Sequence, residues 1–157
     1  MGTHSFKSSG TTAAANAANA LPTTPVPIGI ATPLALNTSG KDGLLQMNYT
    51  LAAQMQDNLR NLILTNWGER LGKYNFGANL RPLMTELVSQ DDFDTQAISR
   101  IRTAVAAWMP YIDLEDFTSS TQRQSNQQTA VILLTITYNI PGLSVIGKKI
   151  QVALYAI

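Results

Sequence analysis

The sequence contains no cysteine and a single histidine, His4, among its 157 residues. The absence of cysteine excludes disulfide bridges and thiolate metal sites. One histidine cannot form a histidine metal cluster, and its place in a polar N-terminal segment argues against a Ser-His-Asp arrangement. The chain also lacks a glycine-rich phosphate loop. We therefore expect no metal, no cofactor and no nucleophilic catalysis.

Charged residues are scarce as well, since Asp, Glu, Lys and Arg make up 13% of the chain and the formal net charge is +1. A nearly neutral chain is poorly suited to a phosphate backbone or an acidic membrane surface, so we expect neither nucleic acid nor membrane as a partner. No apolar run approaches the roughly 18 residues of a membrane span, and the N-terminus lacks the apolar core of a signal peptide. A surface with few charges is compatible with a protein packed inside a larger assembly.

The first 45 residues differ in composition from the rest. Residues 1–20 are rich in Ala, Thr, Ser and Asn, which predicts mobility in the free protein. Residues 21–38 carry four prolines among apolar residues and should be extended. They fit an arm that lies on a neighbouring subunit, a tail packed on its own domain, or a solvated linker. We divide the chain into a flexible or extended arm, 1–45, and one domain, 46–157.

Apolar residues at three- and four-residue intervals predict three helices in the first part of this domain. The first runs from about Asn48 to Asn66, and a short second helix begins near Leu80. The third can be capped by Asp94 or Thr95 and must end before Pro110. Its expected buried stripe consists of Ile98, Ile101, Val105 and Trp108.

After the third helix the apolar pattern changes to the alternation of strands. Three strands are expected, the first with Ile112, Leu114 and Phe117, the second from Ala130 to Ile140, and the third from Val145 to Ile157. The polar run 119–128 should be a loop, and Pro141-Gly142 a turn. The predicted fold class is α+β, with three helices followed by a three-stranded antiparallel sheet.

The end of the first helix carries a highly specific order of residues. Leu64-Thr65 is followed by Gly68-Glu69-Arg70, then by Phe76-Gly77 and Leu80, and glycine after a helix can adopt the left-handed conformation that ends it. This order resembles the baseplate assembly protein W, or wedge, family of contractile-tail bacteriophages. That family includes members labelled lysozymes and is shared with the baseplate subunit of type VI secretion systems.

A second family element, a Glu-Pro-Arg triplet between a helix and a strand, corresponds to Met109-Pro110-Tyr111, where the proline alone is retained. The resemblance covers the chain from near Asn48 to its end. It implies a structural protein of the tail baseplate in the virion, assembled in the host cytoplasm and present in multiple copies in a six-fold assembly. The implied partners are other baseplate wedge proteins and the tail sheath subunit.

The resemblance implies two binding surfaces in a domain similar to the inter-subunit "handshake" part of a sheath protein. One surface would bind the helical core bundle of the wedge. Because Met109 and Tyr111 replace a carboxylate and a guanidinium, we expect an apolar, aromatic contact there. The alternative is that both side chains pack in the core of this domain. The residues of this surface are Glu69, Arg70, Trp108, Met109, Pro110 and Tyr111.

The other surface is the final strand, which has no proline or charge after Lys149 and would be open to strand addition from another chain. By resemblance it serves as the template for the first sheath ring. The alternative is that the strand lies in the centre of the sheet or is covered by the N-terminal arm. The residues of this surface are Ile150, Val152, Leu154, Tyr155 and Ile157.

An enzymatic alternative is a peptidoglycan-degrading tail lysozyme, which needs two carboxyl groups with one kept protonated. Glu69 is the best single candidate, but the adjacent Arg70 would favour its ionised form. Bonding to turn amides, or pairing with Arg70 or Arg81, is the simpler role for this carboxylate. A sheath or tube subunit is a further alternative, which the short chain disfavours. We predict a binding protein and not an enzyme.

Overall fold

A computed structural model describes residues 26–38, 43–86, 90–123 and 130–156. Its helices follow one another in the first half, and a three-stranded antiparallel sheet follows in the second, which confirms the predicted α+β class. The elements are β1 (Gly29–Ile30), β2 (Met47–Asn48), α1 (Leu51–Leu64), α2 (Arg81–Glu86), α3 (Gln90–Trp108), β3 (Asp113–Arg123), β4 (Ala130–Ile140), a 3₁₀ turn (Pro141–Leu143) and β5 (Val145–Ala156).

Helix α1 begins after Thr50, whose hydroxyl accepts a hydrogen bond from the backbone N–H of Ala53 at 3.3 Å. Such a cap satisfies one of the free donors of the first turn. The helix is shorter than the predicted span at both ends, because Asn48 belongs to β2 and the helix ends at Leu64. Its buried apolar residues are Leu59, Leu62 and Ile63.

Helix α3 begins at Gln90, so the predicted cap at Asp94 or Thr95 is wrong. Asp91 and Asp92 lie in its first turn, where negative charge is favoured by the helix dipole, and these carboxylates allow the helix to start earlier. The helix ends at Trp108, as Pro110 requires. Its most deeply buried residues are Phe93, Ala97, Ile101, Ala104 and Val105.

The sheet has the order β3-β4-β5, so β5 lies at an edge, and no strand among the described residues pairs with its outer side. Strand β3 extends to Arg123, and the predicted loop is therefore wrong for residues 119–123, while 124–128 lie outside the described residues. The polar run is strand because it pairs with apolar β4, for example Ser119 with Leu134. Partner pairing here outweighs local composition.

One face of the sheet packs against the helices and forms the core. On β4 the alternating residues Leu134, Ile136 and Tyr138 are buried, and on β5 Ile150 and Val152 meet the same core. Burying each such side chain contributes roughly 1.5–3 kcal/mol relative to exposure. The core therefore fixes the helices, and with them the loop that follows α1, on the sheet.

The described part of the N-terminal arm folds back on its own domain. Strand β1 pairs antiparallel with β2, and Leu36 bridges to Leu45. Asp57 of α1 holds this hairpin, since its Oδ2 accepts hydrogen bonds from the Thr32 backbone N–H at 2.9 Å and the Asn48 side-chain amide at 2.8 Å. Residues 1–25, including the segment for which we predict mobility, lie outside the described residues.

None of the helices in the described ranges is long and apolar enough to cross a membrane.

Candidate functional site

The loop after α1 begins with a tight turn around Gly68, which has a φ of +86°. Its backbone N–H donates to the Tyr74 carbonyl at 2.8 Å, and this bond closes the turn on itself. A positive φ of this kind favours glycine. The Gly-Glu-Arg order seen in the sequence therefore has a structural cause at its first position.

The Glu69 carboxylate is bound within the same turn. Its Oε2 accepts a hydrogen bond from the Asn66 backbone N–H at 2.8 Å, and its Oε1 accepts one from the Asn66 side-chain amide at 2.9 Å. These two bonds, with a smaller contribution from the charge of Arg81, lower the pKa of Glu69 below its ordinary value. The carboxyl is thus held ionised, which is the wrong state for a general acid.

The second half of the loop returns the chain to α1 through Gly77. The φ of Gly77 is +110°, and a Cβ atom there would overlap with the carbonyl group of Thr65. Trp67 holds this return, because its indole N–H donates to the Gly77 carbonyl at 3.1 Å. The next residue, Ala78, donates from its backbone N–H to the Leu62 carbonyl at 3.0 Å. The loop is therefore bonded along its length to the end of α1.

An aromatic pair joins this loop to the end of α3. The rings of Phe76 and Trp108 meet edge-on, with centroids 5.2 Å apart and planes at 64°. Two cations flank the pair, since the Arg70 guanidinium carbon lies 4.2 Å from the Phe76 ring centroid and the Lys73 Nζ lies 5.3 Å from that of Trp108. Aromatic pairs and cation–π contacts both stabilise a structure by more than the burial of their apolar surface alone.

The corner after α3 continues from Trp108 into Met109, Pro110 and Tyr111. The Met109 N–H donates to the Val105 carbonyl at 2.8 Å, and the Ile112 N–H donates to the Met109 carbonyl at 3.0 Å, so the chain turns within four residues. Met109 is 4% exposed and belongs to the core, whereas Tyr111 is 46% exposed. The two replacements of the family triplet therefore face different surroundings.

The turn and the corner together form one open groove of about 560 Å³, which we call the turn-corner groove. Five of the six residues predicted for the first binding surface line it. Pro110 is the exception and borders a neighbouring hollow with Ile112 and Asp113. The groove is lined by Asn58, Asn61, Thr65, Glu69, Arg70, Phe76, Trp108, Met109 and Tyr111.

Four lining residues, Asn58, Asn61, Thr65 and Phe76, were missed by the sequence prediction of this surface. Asn58 and Asn61 lie on α1, and their i, i+3 spacing places both on one polar face of the helix. Phe76 was recognised as part of the motif but not as a site residue. The signal available in the sequence was the pair of amides on the polar face of α1, directly before the turn.

The residues predicted for the second surface divide between the two faces of β5. Ile150, Val152 and Leu154 are buried in the domain's own core. Tyr155 faces the opposite side and is 62% exposed, while Ile157 lies outside the described residues. What this edge can offer another chain is therefore its backbone and the side chains of its outer face.

The described residues contain no group of three His, Asp or Glu side chains arranged to hold a metal ion. The lining of the turn-corner groove contains aromatic and thioether side chains, which we call its floor, and the amides of Asn58 and Asn61. We call Arg70 and Lys73, which lie against the Phe76 and Trp108 rings, its cationic rim. Its single carboxylate is bound to Asn66. This arrangement is chemically suited to binding another surface.

Comparison with known proteins bears on the same region. Residues 50–142, more than half of the chain, match the family model described as baseplate wedge protein gp25. This span includes both the Gly68-Glu69-Arg70 turn and the corner at Pro110. No curated protein sequence matches the chain.

Two solved structures share the fold. A chain of the anti-feeding prophage baseplate, determined by cryo-EM with six-fold symmetrisation, is 18% identical with a TM-score of 0.54, over 71% of this chain and 82% of that one. A Geobacter sulfurreducens protein described as a "putative tail lysozyme" is 17% identical with a TM-score of 0.51, over 68% of this chain and 90% of that one. On the family match over residues 50–142, the chain belongs to the baseplate wedge protein gp25 family, as a structural protein of a contractile tail baseplate.

Proposed function

We propose that this protein connects the helical core bundle of a baseplate wedge to the first ring of the tail sheath. The turn-corner groove binds the core bundle, and the free edge of β5 accepts a strand of the sheath subunit. The observation that carries the proposal is that residues from two distant motifs line a single groove, namely Glu69 and Arg70 from the turn and Trp108, Met109 and Tyr111 from the corner. A surface assembled from separate segments is typical of a binding site placed by the fold.

The edge of β5 supports the second contact. Strand addition uses main-chain hydrogen bonds for affinity, and an unpaired edge supplies them. Ile150, Val152 and Leu154 are buried in the core, and β5 pairs with β4 along one side, while no strand among the described residues pairs with its other side. Tyr155 then lies on the face where an added strand could contact it.

The anti-feeding prophage chain comes from a six-fold baseplate, and we extend that arrangement to this protein as several copies around a six-fold axis. Assembly would take place in the host cytoplasm before the tail is complete.

The test is lysine cross-linking with mass spectrometry on intact particles. Lys73 lies beside the turn-corner groove, whereas Lys148 and Lys149 lie on β5, so each surface has its own reporter. We expect Lys73 to link to wedge helices and Lys148 or Lys149 to link to the sheath subunit. Absence of the chain from particles, or links to the tail tip alone, would contradict the proposal.

A cell-wall assay provides the contrast with the lysozyme alternative. Turnover of peptidoglycan by the purified protein that disappears in Glu69→Gln would establish hydrolysis and overturn the purely structural role. The ionised, Asn66-bound state of Glu69 leads us to expect no turnover in either protein.

A further inference from the structure

We propose that the turn-corner groove takes an acidic, amphipathic helix, which places apolar side chains on the groove floor and a carboxylate between Arg70 and Lys73. This inference rests on the proposed function, because it assigns the chemistry of the wedge segment bound there. It goes further by predicting that the contact is charge-assisted even though the family's Glu-Pro-Arg charges are replaced at Met109 and Tyr111.

The first step concerns the two cations. Arg70 lies over the Phe76 ring and Lys73 over the Trp108 ring, so both positive charges are held at the groove rim by aromatic faces. Arg60 forms an ion pair with Asp57, at 3.6 Å, on the hairpin side of α1. Neither Arg70 nor Lys73 has a carboxylate partner within the described ranges.

The second step concerns the one carboxylate in the groove. Both oxygens of Glu69 accept hydrogen bonds from Asn66, and Asn66 in turn accepts one from the Arg81 backbone N–H at 3.2 Å. Glu69 is therefore committed to the turn and is not aimed at Arg70. The rim keeps an unpaired positive character that a partner's carboxylate would complement.

The third step concerns shape and polarity. Among the lining residues, Phe76, Trp108 and Tyr111 offer apolar surface, and Asn58 and Asn61 offer amides. A volume of about 560 Å³ accommodates several side chains and not the full thickness of a helix. A helix would thus lay one face in the groove, with its apolar residues and an acidic residue one turn apart.

A phosphate backbone does not fit this groove as well. Two cations are too few for a nucleic-acid face, and the apolar floor between them would be left against a charged strand. An amphipathic protein helix can place apolar side chains on the floor and a carboxylate at the cationic rim. Charge complementarity therefore selects an acidic helix of a wedge protein as the occupant.

The experiment measures binding of the full-length protein to purified wedge core proteins of the same particle, at low and high salt. We expect Arg70→Glu and Lys73→Glu each to weaken binding by about tenfold or more, because the reversed charge would face the partner's carboxylate. Arg70→Gln should bind less tightly and with a smaller salt dependence than the unmodified protein. Melting temperatures confirm that each variant is folded.

The matched control is Lys149→Glu, an identical charge reversal on the sheet face that points away from the helices. It should leave core binding and its salt dependence unchanged. Binding that is insensitive to salt and to both groove reversals would overturn the acidic-helix inference while leaving the proposed function intact. Failure of the unmodified protein to bind wedge core proteins would instead overturn both.

Discussion

Phe76 and Trp108 meet edge-on at 5.2 Å between ring centroids, and this contact joins the loop after α1 to the end of α3. Each residue belongs to a different sequence motif. Their contact makes the Gly-Glu-Arg turn and the Met-Pro-Tyr corner two walls of one groove. A substitution that displaces either segment should therefore also change the position of the other.

The return of the loop at Gly77 provides a stability prediction. Gly77→Ala should lower the free energy of unfolding by about 3 kcal/mol or more, because the residue has a positive φ and its new Cβ would overlap with the Thr65 carbonyl. Urea denaturation measures the change. Gly72→Ala is the matched control, since Gly72 has a φ of +75° but open space around it. It should cost about 1 kcal/mol, the strain alone. Equal losses in the two variants would contradict the overlap.

The bonds of Glu69 to Asn66 predict a dependence of stability on pH. The pKa of Glu69 is lowered in the folded protein, so its ionised form adds stability above the ordinary value of 4.5, and that contribution is lost as the pH falls through the lower folded pKa. The stability difference between the unmodified protein and Glu69→Gln should therefore be largest near neutral pH and shrink below about pH 4.5. Denaturation midpoints at several pH values test this. A difference that grows on acidification would show that the sign is wrong.

The corner residues Met109 and Tyr111 should separate stability from binding. Met109→Ala should cost about 2–5 kcal/mol, because Met109 is buried in the core. Tyr111→Ala should change stability by less than about 1 kcal/mol, since the ring is half-exposed, and yet weaken binding to wedge core proteins. Thermal melts and binding measurements on both variants decide the matter. A loss of stability in Tyr111→Ala that matches its loss of binding would contradict a contact role for Tyr111.

The hairpin of β1 and β2 should loosen when its link to α1 is removed. Asp57 is 8% exposed and accepts hydrogen bonds from Thr32 and Asn48, so Asp57→Ala would remove the acceptor of the Thr32 N–H and leave the Asn48 amide with its bond to Gln54. We expect amide hydrogen exchange at Ala31 and Asn37 to speed up by about tenfold or more, with little change in the core of α1. Asp116→Ala, which removes an exposed carboxylate from β3, is the control. Unchanged exchange at the hairpin would contradict its dependence on Asp57.

Several elements could be predicted from local sequence, because their causes are local. The periodic apolar residues of α1 and α3, the stop before Pro110 and the β-branched run of β4 each act within a few residues. The turn order from Gly68 to Gly77 was also readable, since two left-handed positions require glycine. The family and its wedge role followed from this order together with the proline of the corner.

Other features depended on partners distant in the chain. Ser119 to Arg123 have a loop-like composition, but pairing with β4 makes them a strand. The different surroundings of Met109 and Tyr111, and the meeting of Phe76 with Trp108, arise when α1 and α3 pack on one sheet. The sequence by itself determined the helices and the turn, because short-range sterics and periodicity encode them, and it indicated the family through the resemblance of its residue order. The tertiary structure alone decided which residues share the groove. Long-range packing brings these side chains together, and their spacing along the chain does not predict that they meet.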